Sequence, residues 1–415
     1  MIAQAPQRAP RTFGPLLLCA LVMFIDGYDL NAMPLVVPRL AIELGIAPQR
    51  FGMALSAVLL GLGVGALLIA PVGDRIGRRP AILLSTVLMA LATLGTATGH
   101  SVTEFTLWRL ATGLALGACL PNVTALVAEL APPGKSARTL TLVSMGISVG
   151  GIAAGLLAPQ LVALGGWQAL FVFAGIATLV LAGALFFLLP ESPRLRQAAA
   201  ASPGPKTFAF AALLTPPLMF STVLFCVLYA VNALALYYLV SWVPTVLPRA
   251  GFSIDSASRF LSLIQFGGLL IGLGLSLLLD RGWAMRAIVG TYACVIVALL
   301  LFGVITRTPL SWGFLLLIAG GGISAAHLAI MAVAISFFPS HLLSSAIGMG
   351  VAVARLGAIG GPLLGGAVIG AGASTPLFFA LAAIPTALCI VAAIFIPRAQ
   401  RIAAAQAALS TERTA

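Results

Sequence analysis

The chain has 415 residues, of which 61% are hydrophobic and only 8% charged, whereas a soluble domain carries about 25% charged residues. That composition excludes a soluble globular enzyme and predicts a polytopic membrane protein. Basic residues outnumber acidic ones 22 to 10, but loops on the cytoplasmic side of a membrane collect Lys and Arg, so no nucleic-acid partner is implied.

A span needs about 20 mainly apolar residues, and marking such runs predicts twelve. They lie near 14 to 38, 51 to 72, 81 to 99, 104 to 127, 139 to 162, 167 to 189, 217 to 243, 258 to 279, 285 to 305, 311 to 338, 343 to 370 and 374 to 396. The basic start followed by an apolar run without a small-residue cleavage site reads as an uncleaved first span. In its middle stands Asp26-Gly27-Tyr28-Asp29. A charge at bilayer depth costs roughly 2.5 to 3.5 kcal/mol, so two carboxylates there need partners or a function.

The longest internal polar stretch divides the spans six and six. This gives a tail (1–13), a first bundle (14–189), a linker (190–216), a second bundle (217–396) and a second tail (397–415). With the N-terminus inside, fifteen Lys and Arg fall in cytoplasmic segments and five in external ones, which predicts both termini in the cytoplasm. Arg109 and Arg355 remain within spans. The five cysteines (Cys19, Cys119, Cys226, Cys294, Cys389) all sit in apolar runs, so neither a disulfide framework nor a metal site is implied.

The halves also repeat at an offset of 206: Asp74-Arg75 recurs as Asp280-Arg281, and Gly151 and Gly155 meet Gly357 and Gly361. Parallel six-span repeats belong to the major facilitator fold. Gly73-Asp74-Arg75-Ile76-Gly77-Arg78-Arg79 resembles that superfamily's signature loop, with Ala70 where the family usually has its first glycine. There Asp74 meets a helix N-terminus and the arginines reach acids on neighbouring helices, a latch for the cytoplasmic side. Glu129 and Arg138 look like the charge pair that works with it, and Asp280 and Arg281 are the second-half counterpart. Pro190-Glu191-Ser192-Pro193-Arg194 resembles the signature that closes the first half of sugar and organic-acid porters.

Span eleven carries Arg355-Leu-Gly357-Ala-Ile-Gly360-Gly361-Pro362. With Asp26-Gly-Tyr-Asp29, Leu120-Pro121-Asn122 ahead of Glu129, and Trp242-Val-Pro244, this resembles the aromatic acid:H+ symporter family of the superfamily, over essentially the whole chain. Leu343 stands where that family commonly has an arginine. The resemblance implies an all-α protein of two six-helix pseudo-repeats in a bacterial inner membrane. It would import a small aromatic carboxylate by alternating access, with a proton as coupling ion, no other cofactor, and the monomer as working unit.

At 1.5 Å per residue, Asp26 and Arg355 both lie about 18 Å above the cytoplasmic edge and Arg109 about 22 Å up, so the three share a layer. Asp26 is expected to pair with Arg109 as the proton site, and Asp29, one turn farther out, to assist near the entrance. Arg355 is expected to grip the substrate carboxylate bidentately. Tyr28 offers a ring face or faces lipid. Tyr229 and Asn232 lie near mid-membrane, and Asn122 joins them as a substrate candidate. Tyr238 and His327 join the substrate set as well, Tyr238 as a candidate external gate and His327 as either a packed histidine or a proton relay, while Trp242 is an interfacial belt residue. An aliphatic carboxylate symporter, a drug:H+ antiporter and a transporter-like receptor stand as alternatives.

Overall fold

A computed structural model describes residues 13–132, 135–191, 210–216 and 218–412. Among the described residues, twelve helices are long and apolar enough to cross a membrane. In chain order they are α1 (Phe13–Glu43), α2 (Pro48–Ile76), α3 (Arg78–Thr96), α4 (Val102–Leu130), α5 (Ser136–Gly165), α6 (Gln168–Leu188), α7 (Met219–Arg249), α8 (Ile254–Asp280), α9 (Ala284–Leu301), α10 (Pro309–Ala334), α11 (Ser340–Gly370) and α12 (Thr375–Ala393). A last helix, α13 (Ile396–Glu412), occupies most of what reads in the sequence as a tail.

Short polar turns start four of the helices that begin on the face away from the chain ends. Ser101, Ser253, Thr308 and Ser374 each accept a hydrogen bond from a backbone N–H of the first turn of α4, α8, α10 and α12, satisfying donors that have no partner within the helix. The first span, read as ending near 38, runs on to Glu43 with Pro34 and Pro38 inside α1, because neighbouring helices satisfy the backbone groups a buried proline frees. Asp26 is therefore deep in a continuous helix. The middle of α2 is less regular: after Val64 it passes through a π turn at Gly65–Ile69 and a 3-10 turn at Ala70–Val72.

The two halves repeat one packing scheme. α1 packs on α5 as α7 packs on α11, α2 on α4 as α8 on α10, and α3 on α6 as α9 on α12. The approach is close enough to demand glycine. A Cβ on Gly27 would fall 1.8 Å from the Ile147 carbonyl oxygen, and one on Gly357 would fall 1.9 Å from that of Ala230. The glycine pairs read from the sequence repeat do not do equivalent work. Gly357 and Gly361 seat α11 on α7, whereas Gly151 and Gly155 face Gln265 and Ser262 of α8, in the other half.

Between the halves, α1 meets α7, α2 meets α11 and α5 meets α8. Their polar contacts lie from mid-helix toward the face away from the chain ends. Arg39 pairs with Asp255, Ser56 Oγ donates to the Ile359 carbonyl at 2.8 Å, and Ser262 Oγ donates to that of Ile152 at 2.8 Å. The fold is closed on that face. Trp242 belongs to this closure and not to an interfacial belt: it is fully buried and donates Nε1–H to the Pro362 carbonyl at 2.8 Å.

Candidate functional site

Helix periodicity puts Asp26 and Asp29 one turn apart on α1, and both are 1% exposed. Their partners differ. Arg109 of α4 approaches Asp29 Oδ2 at 2.8 Å and donates to the Asp29 carbonyl at 3.1 Å, while Thr93 of α3 donates its hydroxyl to Asp29 Oδ1 at 3.0 Å. The expected Asp26–Arg109 pair is thus an Asp29–Arg109 pair. Shared depth cannot separate two carboxylates one turn apart; the direction each takes around α1 does. Asp26 Oδ1 is buried with no hydrogen-bond partner among the described residues, and the cation within electrostatic reach of it is Arg355, from the other half.

Arg355 lies against Gly63 of α2 and its guanidinium approaches the Tyr237 hydroxyl. Tyr237 lines a cavity of about 480 Å³ between the halves, within the range of small-molecule sites. Its walls are largely apolar, with Met33, Val58, Leu236, Val240 and Leu269 among them, and polar side chains come from Asn31, Ser144, Ser148, Gln265 and His327. The cavity reaches Leu140, about one turn from the start of α5, on the face that carries the chain ends.

His327 is held from two sides. Tyr229 stacks on its ring at 4.2 Å between centroids, and Asn232 Nδ2 lies 2.9 Å from His327 Nδ1. Tyr292 donates its hydroxyl to Asn232 Oδ1 at 2.7 Å, which turns the Asn232 amide N–H toward the imidazole. Nδ1 then accepts, and the neutral ring carries its proton on Nε2.

The Major Facilitator Superfamily pattern matches residues 19–359. The chain belongs to that superfamily. It is 30% identical to a gallate transporter of Pseudomonas putida over 89% of this chain and 88% of that one. It is 32% identical to a 3-(3-hydroxy-phenyl)propionate transporter of Escherichia coli over 92% and 93%, and 28% identical to the 4-hydroxybenzoate transporter PcaK of Acinetobacter baylyi over 91% and 89%. Solved structures of a D-xylose-proton symporter (TM-score 0.73, 17% identity, 92% of this chain and 97% of that one) and of a bacterial homolog of the human lysosomal transporter Spinster (0.71, 19%, 95% and 98%) share the fold. The relatives and structural neighbours are transporters, and this facilitator is not an enzyme.

The facilitator signature loop lies on the face with the chain ends. Arg78 is its hub, at 2.8 Å from Asp74 Oδ1, 3.8 Å from Glu129 Oε1, and donating to Asn122 Oδ1 at 3.1 Å. Arg79 donates its backbone N–H to Glu191 at 3.3 Å. Gly77 has φ +110°, and a Cβ there would also meet Glu191 Oε2 at 2.9 Å, so this turn requires glycine. A Cβ on Gly73 would collide with Asn122 Oδ1 at 2.1 Å. Arg75 and Arg138 are exposed and join no ion pair among the described residues.

Asn122, expected in the substrate set, is therefore part of the latch: its Nδ2 donates to the carbonyls of Ala70 and Ala118. The second half has no such hub among the described residues. Asp280 and Arg281 are exposed, and Leu343 packs on the core. Ser192, Pro193 and Arg194 lie outside the described residues.

Two expected aromatic contacts also fall elsewhere. Tyr28 is 1% exposed, so it does not face lipid; it packs near Phe173 with its hydroxyl toward the Leu170 carbonyl, away from the cavity lining. Tyr238 stacks on Phe378 at 4.5 Å and donates to the Phe378 carbonyl at 3.0 Å, while its neighbour Tyr237 takes the cavity side. Sequence reasoning missed Tyr237, Asn31 and Gln265. The signal for Asn31 was present: an amide two residues beyond the second buried carboxylate of α1.

Proposed function

We propose that this facilitator imports a small aromatic carboxylate across the bacterial inner membrane together with a proton, working as a monomer with both termini in the cytoplasm. The observation that carries the reading is Asp26, a buried carboxyl with an oxygen that has no hydrogen-bond partner among the described residues, within reach of Arg355 from the opposite half. The three relatives named above carry aromatic acids, and the apolar walls with the His327 ring, backed by Tyr229, suit a ring. With this orientation the cavity opens inward.

When Asp26 is ionised, Arg355 is neutralised by it and has little left for a substrate anion. When Asp26 takes a proton, Arg355 is free to bind the substrate carboxylate through two parallel N–H bonds, assisted by the Tyr237 hydroxyl. Substrate and proton then cross together, and neither the empty deprotonated site nor the fully loaded one leaves a net buried charge. Asp29 and Arg109 stay paired throughout and fix α1 against α3 and α4.

Proteoliposomes test this. Wild-type protein should concentrate a benzoate-type acid when the pH gradient is imposed in the inward direction. Asp26→Asn should lose gradient-driven accumulation and keep exchange of labelled for unlabelled substrate. Accumulation by Asp26→Asn at the wild-type rate would remove Asp26 as the proton site.

A further inference from the structure

Asn31 stands where the cavity meets α1 and is 4% exposed. One of its two amide N–H donors is committed, because Nδ2 donates to the Gly27 carbonyl one turn back at 2.7 Å. That bond fixes which way the amide faces. The other end, Oδ1, is buried and has no hydrogen-bond partner among the described residues. A buried acceptor left unmatched carries a desolvation penalty that a donor would remove.

Gln265, on α8 of the opposite half, comes to the same wall. A Cβ built on Gly151 would lie 2.4 Å from Gln265 Nε2 and 2.9 Å from Asn31 Nδ2, so the nitrogen ends of both amides border the space above that glycine. Both line the cavity. One acceptor in need of a donor and one amide able to donate make a matched site for a hydroxyl group, which gives one hydrogen bond and accepts another. A carboxylate accepts only, and a bare C–H edge offers neither.

Position decides what carries that hydroxyl. Asn31 is five residues beyond Asp26 along α1, about 7.5 Å farther from the face of the chain ends, while Arg355 stands within reach of Asp26. The rise along α1 then sets a hydroxyl held at Asn31 about the width of a ring beyond a carboxylate held at Arg355. We propose that Asn31 reads a ring hydroxyl meta or para to the substrate carboxylate, and that this protein thereby selects hydroxylated aromatic acids over unsubstituted ones. This rests on the aromatic-carboxylate reading above. It makes Asn31 and Gln265 specificity residues on opposite halves, so the bound hydroxyl also bridges the two bundles.

The test is competition for counterflow by the purified protein in proteoliposomes, with benzoate and its 2-, 3- and 4-hydroxy derivatives as the probes. Wild type should prefer the 3- or 4-hydroxy acid to benzoate by about 10- to 100-fold, the usual range for leaving a buried acceptor unmatched, with the 2-hydroxy acid close to benzoate. Asn31→Leu should bring the two classes within about twofold of each other while benzoate itself still competes. A preference that survives Asn31→Leu overturns the proposal, and would mean that a group other than Asn31 reads the hydroxyl.

Should Asn31→Leu bind neither class, Asn31→Thr decides. Its hydroxyl can donate to Gly27 and still accept, so the preference should persist; its loss overturns the proposal. Failure of the wild type to take up any of the acids removes the transport reading itself. Equal uptake of benzoate and its hydroxy derivatives by the wild type removes only the role of Asn31.

Discussion

Replacing Asp29 by asparagine keeps the shape of the side chain and deletes one buried charge. Arg109 would be left 0% exposed, with Nε and Nη1 already lacking hydrogen-bond partners among the described residues and the ion pair at 2.8 Å gone. Leaving one member of a buried pair uncompensated costs about 3–5 kcal/mol, a factor of roughly 10² to 10³·⁵ in the ratio of folded to unfolded protein. Thr93 can still donate to the amide oxygen that replaces the carboxylate, so the hydrogen bond at that end does not confuse the measurement. Removing both charges in Asp29→Asn/Arg109→Gln leaves polar but neutral groups, and at least half of the loss should return. The assay is unfolding by a denaturing detergent in mixed micelles, followed by intrinsic tryptophan fluorescence, with the four proteins forming a double-mutant cycle. A single-variant cost below about 1 kcal/mol, the value of an exposed pair, or a double variant no more stable than Asp29→Asn, would refute the reasoning.

Gly27→Ala should sharply reduce the yield of monodisperse protein, since the added methyl meets the Ile147 backbone at 1.8 Å; Gly183→Ala, with open space around it, should not change the yield. Arg78→Gln removes contacts to Asp74, Glu129 and Asn122 at once and should slow transport at least tenfold. Asp280→Asn in the second half should stay within twofold, and equal effects would show that the latch is not confined to the first half. Asn232→Leu strips a partner from both Tyr292 and His327 and should lower stability by about 1–3 kcal/mol for each polar group left buried and unmatched. The same unfolding assay checks it, and a variant as stable as the wild type would mean that His327 and Tyr292 find other partners.

The twelve spans and the repeat were legible because membrane insertion demands long apolar runs whatever the tertiary contacts. The signature loop was legible because its residue order is particular, and the structure places Asp74, Arg78 and Glu129 together. The pairing inside the membrane was not. Rise per residue gives depth but not azimuth, so Asp26 and Asp29 were interchangeable as partners for Arg109 until α3 and α4 were in place. The same blindness put Tyr238 at the cavity instead of Tyr237, since adjacent helical residues point about 100° apart and composition does not say which one faces inward. Asn122 was misplaced because an amide near the end of α4 that lies on the face of the chain ends serves a latch or a substrate equally well by residue type. Gly151 was read as a packing repeat of Gly357, and its closeness to Gln265 comes from contact between halves that no intra-half repeat encodes.

The difference between the two aspartates has a consequence for coupling. The side-chain partners of Asp29, namely Thr93 and Arg109, belong to its own half, so rigid-body movement of one half against the other leaves that pair intact. Asp26 depends for its counter-charge on Arg355, in the second half, so its environment changes whenever the halves move. In the proposed cycle the substrate carboxylate and the Asp26 carboxylate compete for one guanidinium. Linkage then requires that protonation strengthen substrate binding by the same factor as substrate strengthens proton binding. Binding of a hydroxylated aromatic acid should therefore draw protons, up to one per site, from a weakly buffered solution. In Asp26→Asn the same binding should draw none.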